Sequence, residues 1–116
     1  MKVVDKIAFL DTFQYFDKSI VVEIIDIFLK EYPDRLLAIK KAIDSKDFDG
    51  LKFDAHSLKG VVANFVADQP IGFARQLEQQ GNEKDDNGLT DLYGQLEQSI
   101  FDLVEDLKEI RNAFLD

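Results

Sequence analysis

The chain has 116 residues, enough for one domain with a single core, and its 46% hydrophobic content with ten Phe excludes disorder. A formal charge of −9, from 14 Lys plus Arg against 23 Asp plus Glu, opposes a nucleic-acid surface and an anionic membrane surface, since both need concentrated positive charge. With no cysteine there is neither a disulfide nor a thiolate metal site, and no apolar run is long enough to span a bilayer.

The opening Met1-Lys2-Val3-Val4-Asp5-Lys6 is soon interrupted by charge, so no secretory leader is expected and the expected location is the cytoplasm. Apolar residues at Val3, Ile7, Leu10 and Phe13 predict a short helix from Val3 to about Phe16, within an N-terminal segment 1–18. Asp17 to Ser19 supply capping residues. A helix from Ile20 to Glu31 follows, with Val21, Ile24, Ile25, Phe28 and Leu29 on one face. Tyr32-Pro33 predicts a kink or a restart, because proline donates no backbone bond and restricts the residue before it. A new helix is expected from about Asp34 to Asp44, with Leu36, Leu37, Ile39 and Ile43 available for burial.

Asp47 is the expected N-cap of a helix over about Phe48 to Phe65. Asp68 precedes another, with Pro70 in its first turn and an end near Gly81. Gly81 to Gly88 is polar and turn-rich, and reads as the longest loop. The last helix is expected from about Leu89 to Ala113, with a stripe of Leu92, Leu96, Ile100, Leu103, Leu107 and Ile110. No repeat or low-complexity tail is present. The prediction is an all-α fold: a single domain over 1–116, with an up-and-down antiparallel four-helix bundle over 19–113 and an additional N-terminal helix. The Phe residues at helical spacing read as core rather than as a ligand pocket.

The chain's only histidine, His56, lies on the third long helical segment, in Asp54-Ala55-His56-Ser57-Leu58-Lys59-Gly60. At about 100° per residue, Leu51, Ala55, Leu58, Val62 and Phe65 fall in a stripe roughly 80° wide, which must face the core. His56, Lys59, Gly60 and Ala63, joined by Lys52, centre about 140° away from it, so His56 is expected in solvent. An exposed imidazole offers a nucleophilic nitrogen at neutral pH. Lys59, one turn along, can bring a point charge to phosphoryl oxygens. Gly60 in mid-helix costs roughly 0.5–1 kcal/mol against alanine, and in return leaves room for another protein beside the ring. Ala63 keeps that wall low for a further turn. On these residues alone His56 reads as a phosphate acceptor. A phosphorylation-independent helical adaptor and a sensor with a Phe-lined cavity stay open as alternatives.

Other histidine chemistries find no support. A metal centre needs several converging ligands, and a di-iron bundle needs Glu-x-x-His twice; here Phe53 stands three residues before the one histidine. Ser57 points about 100° away from His56 on the helix, so the pair cannot act as nucleophile and base. There is no phosphate-binding glycine loop or dinucleotide fingerprint.

The segment "AHSLKG" (Ala55 to Gly60), continued by "VVANF" and later by "ARQLE" (Ala74 to Glu78), resembles the histidine-containing phosphotransfer (HPt) domain family. The upstream order of apolar helix, proline break, second helix, acidic turn and histidine helix is also similar, and the resemblance covers about residues 20 to 112. It implies phosphorylation of His56 on Nε2 and exchange of the phosphoryl group with an aspartate of a response-regulator receiver domain. It implies that Lys59 neighbours the phosphate, that Gly60 lets the receiver dock, and that Glu78 orients the imidazole through Nδ1. Two departures are the valines Val61 and Val62, where the family commonly has Ser or Ala; Val66 is a third, where glycine is frequent. Histidine-kinase dimerisation helices typically carry an acidic residue after the histidine, where this chain has Ser57. With no ATP-binding module in the sequence, the expected role is that of a phosphocarrier and not an enzyme. A sensor or hybrid histidine kinase would feed it. Any magnesium ion is expected on the receiver or kinase, with no cofactor or metal on this chain. The protein is expected to be a monomer, with Phe13, Phe16 and Ile20 as further docking candidates.

Overall fold

The computed structural model describes residues 17–65 and 67–115, and every regular element among them is an α-helix. There are four among the described residues: α1 (Lys18–Asp44), α2 (Phe48–Ala63), α3 (Asp68–Glu83) and α4 (Leu89–Leu115). The helix expected from Val3 to Phe16, with Phe13 and Phe16, lies outside the described residues, as does Val66.

Of the kink or restart expected at Tyr32-Pro33, the restart does not occur: α1 is a single helix with Pro33 inside it. The missing N–H costs about 3 kcal/mol in a helix interior. Burial on either side outweighs that cost. Val21, Ile25 and Phe28 before the proline and Leu36, Ile39 and Ala42 after it are all buried on one stripe, and each large apolar side chain contributes roughly 1.5–3 kcal/mol. A restart would rotate the second half of that stripe away from the core. Leu37, expected to be available for burial, is instead 47% exposed, because the stripe uses its neighbours Leu36 and Ile39.

Helix ends follow local chemistry. Asp17 caps α1 by accepting from the Ser19 N–H, and Asp47 caps α2 by accepting from the Gly50 N–H at 2.9 Å. The α2 helix stops at Ala63, two residues before the expected Phe65. Phe65 is still buried, edge-on to Phe28 at 5.3 Å between ring centres. Asp68 is the first residue of α3, so the N-cap is Ala67, which has no side-chain bond to give. The end expected near Gly81 is also displaced: α3 continues to Glu83 and closes on Lys84 in the left-handed region at φ 55°.

Each helix packs on its neighbour in sequence, and α1 also packs on α4, which closes the ring around one core. All of the predicted stripe Leu51, Ala55, Leu58, Val62 and Phe65 is in that core, together with Leu77 from α3 and Leu96, Ile100, Leu103 and Leu107 from α4. The most extensive helix pair is α2 with α3, and the histidine lies on that seam.

Candidate functional site

His56 sits one residue past the buried Ala55, so the helix turns its ring away from the core, and its side chain is 68% exposed. The Glu78 carboxylate of α3 reaches it across the seam, with Nδ1 and Oε2 2.9 Å apart. The same carboxylate accepts from Lys59 Nζ through Oε1 at 2.6 Å. One carboxylate thus bridges the ring and the ammonium. The Lys59 hydrogen bond, then the His56 bond, hold the Glu78 carboxyl below its ordinary pKa range against the opposing effect of burial. Glu78 is therefore ionised at neutral pH and can only accept. Nδ1 is thus the donor, and in the neutral ring the lone pair lies on Nε2. Among the described residues, Nε2 has no hydrogen-bond partner.

Of the remaining candidates from the sequence, Lys52, Gly60 and Ala63 share α2 with His56. Lys52 is exposed one turn before His56 and donates to Asn82 Oδ1 at 2.9 Å, a second tie between α2 and α3. Gly60 is exposed, and a Cβ built there would meet nothing within 4 Å. Ala63, also exposed, is the last residue of α2. Ser57 lies in the groove with Asp34, Arg35 and Ala38 of α1 and does not serve His56. Ile20 is 45% exposed near the start of α1.

Three neighbours were not singled out by sequence reasoning. Phe53 is 71% exposed, one turn before His56, and with Asp49, Lys52, His56 and Glu78 it lines an open recess beside the ring. Its signal was available on the helical wheel, where an aromatic falls about 160° from the apolar stripe. Asn82 and Gly81 gave no comparable signal, because their partners are on another helix. No group of three or more His, Cys, Asp or Glu among the described residues is placed to hold a metal ion. No helix of the described residues is long and apolar enough to cross a membrane.

A helical bundle that presents one oriented, solvent-facing imidazole is the class of protein that this fold and site define. The Hpt domain family model matches residues 23–114. The chain belongs to that family, and its role is histidine phosphotransfer in a phosphorelay. The fold is similar to the crystal structure of histidine-containing phosphotransfer protein B (HptB) from Pseudomonas aeruginosa PAO1. The TM-score is 0.86 at 22% sequence identity, over 96% of each chain. No curated protein sequence matches the chain.

Proposed function

We propose that His56 is the phosphoacceptor, carrying a phosphoryl group on Nε2 to or from the aspartate of a response-regulator receiver domain. The observation that carries this reading is the pairing of the chain's only histidine, exposed to solvent, with a carboxylate on its Nδ1.

The chemistry follows from that pairing. The Nε2 lone pair attacks the phosphorus of a receiver aspartyl phosphate in line. The N–P bond forms as the P–O bond to the aspartate breaks, and the electron pair leaves on the aspartate carboxylate. The ring keeps its Nδ1 proton and so becomes cationic. Glu78 is already hydrogen-bonded to that proton and stabilises the charge as it develops, with no reorganisation at the moment of transfer. Lys59, one turn along, holds Glu78 in the resting state, and its flexible ammonium can supply positive charge to the phosphoryl oxygens. Any magnesium ion belongs to the receiver or kinase. A sensor or hybrid histidine kinase is the upstream source, and this chain acts as carrier, not as kinase.

Docking uses the face around the ring. Gly60 and Ala63 keep it low, Lys52 contributes a cation, and Phe53 offers apolar area already outside the core. The short connections between the four described helices support an up-and-down antiparallel bundle, which we propose acts as a single domain. A monomer in the cytoplasm is the state we propose.

The test is transfer from a receiver carrying labelled aspartyl phosphate. Acid-labile label is expected on the wild-type chain and absent from His56→Gln. Label retained by His56→Gln would overturn the assignment. Lys59→Ala is expected to slow transfer or shorten the phosphohistidine lifetime.

A further inference from the structure

A helix end was expected near Gly81; the residue lies inside α3, two residues before its end at Glu83, and is buried against α2. A Cβ at this position would stand 2.9 Å from the Lys52 backbone N, 3.0 Å from the Phe48 carbonyl O and 3.1 Å from Lys52 Cα. All three are main-chain atoms of a helix, so no side chain can swing aside to make room. The two backbones touch here because residue 81 has no side chain. This is the tightest approach among the glycines that face another helix; at Gly60, Gly72 and Gly94 an added Cβ meets nothing.

The site lies one turn away on both helices. Glu78 is three residues before Gly81 on α3, and His56 is four residues after Lys52 on α2. Going up α2 from Phe48 and Lys52 to His56 and Lys59, the facing residue on α3 moves down from Gly81 to Glu78. The close approach and the bridging carboxylate therefore belong to one stretch of seam. We infer that Gly81 is a positioning residue: its missing side chain sets the α2–α3 spacing at which Glu78 spans both His56 Nδ1 and Lys59 Nζ. The inference rests on the reading of Glu78 as the group that orients the imidazole.

The distances give the size of the effect. Ordinary non-bonded contacts to a Cβ begin near 3.4 Å, so a methyl at residue 81 forces the helices apart by a few tenths of an ångström, about 0.3–0.5 Å. The bond to His56 is 2.9 Å long, and by about 3.6 Å a hydrogen bond no longer exists. The Lys59 bond starts shorter, at 2.6 Å, and survives longer. Widening the seam thus stretches the imidazole bond toward its limit while the lysine bond stays short.

The test is nitrogen NMR of the His56 ring at neutral pH, with helicity and thermal melting measured in parallel. Wild type is expected to hold the proton on Nδ1. Gly81→Ala is expected to lose that single tautomer and give a mixture, as Glu78→Ala does. The double variant is expected to show no more loss than Glu78→Ala alone, because both act through the same contact. A folded Gly81→Ala that keeps the full Nδ1–H population would overturn the inference, and so would additive losses in the double variant. If Gly81→Ala does not fold, Glu78→Asp withdraws the carboxylate by about one carbon–carbon bond, 1.5 Å, without touching the seam. The same loss is then expected; an unchanged tautomer would show that reach is not limited by spacing and would end the inference. The ring readout needs no phosphoryl group. Failure of wild-type transfer with an intact tautomer effect would therefore count against the phosphoacceptor reading and not against Gly81.

Discussion

Gly60→Ala should make this protein more stable and worse at its task. An added Cβ at residue 60 meets nothing within 4 Å, so the methyl enters without strain in the free chain. Replacing a helical glycine by alanine, here in the last turn of α2, removes backbone freedom from the unfolded state and is worth about 0.5–1 kcal/mol. For a domain of this size that raises Tm by roughly 2–6 °C. The same methyl projects from the proposed docking face, one turn beyond His56. Overpacking a closely fitted contact costs typically about 1–3 kcal/mol, a factor of roughly 5 to 150 in affinity. The assay pairs a thermal melt with the second-order rate of phosphoryl transfer from a receiver. A lower Tm would refute the packing argument at residue 60. A higher Tm with unchanged transfer would refute the docking argument.

Pro33→Ala should also stabilise, by about 1–3 kcal/mol, since it restores a backbone donor in a continuous helix; a fall in the urea midpoint would contradict an unbroken α1. Asp47→Ala removes the side chain that accepts from Gly50 and should cost about 1 kcal/mol in chemical denaturation, with transfer unchanged; a loss under a few tenths would show that the cap contributes nothing. Because bonding to Lys59 and His56 depresses the Glu78 pKa in the folded state, its contribution to stability is complete above the ordinary glutamate value near 4.3. It is lost as pH falls below that, through the folded value. Glu78→Gln should therefore flatten the acid limb of the stability profile relative to wild type; parallel profiles would show that the carboxylate is not linked to folding.

Sequence and structure divide along one physical line. Where a property depends on a single helix, the chain determined it. The apolar spacing of Leu51, Ala55, Leu58, Val62 and Phe65 placed all five in the core, and the same 3.6-residue repeat turned His56 into solvent. Asp17 and Asp47 marked helix starts through their own side-chain bonds. Pro33 shows where local reasoning fails: its local cost is real, but the buried residues on either side of it together stabilise α1 by more than the lost bond.

Between helices, only the tertiary structure decides. Glu78 is separated from His56 by 22 residues, and nothing in either helix alone fixes which atoms of one meet the other. That depends on the crossing and register of α2 and α3, which are set by how closely their backbones can approach. Gly81 permits contact at the main chain of Phe48 and Lys52, and one turn away the carboxylate lands between an imidazole and an ammonium. Periodicity fixes which side of a helix a residue occupies; close packing fixes what stands opposite it.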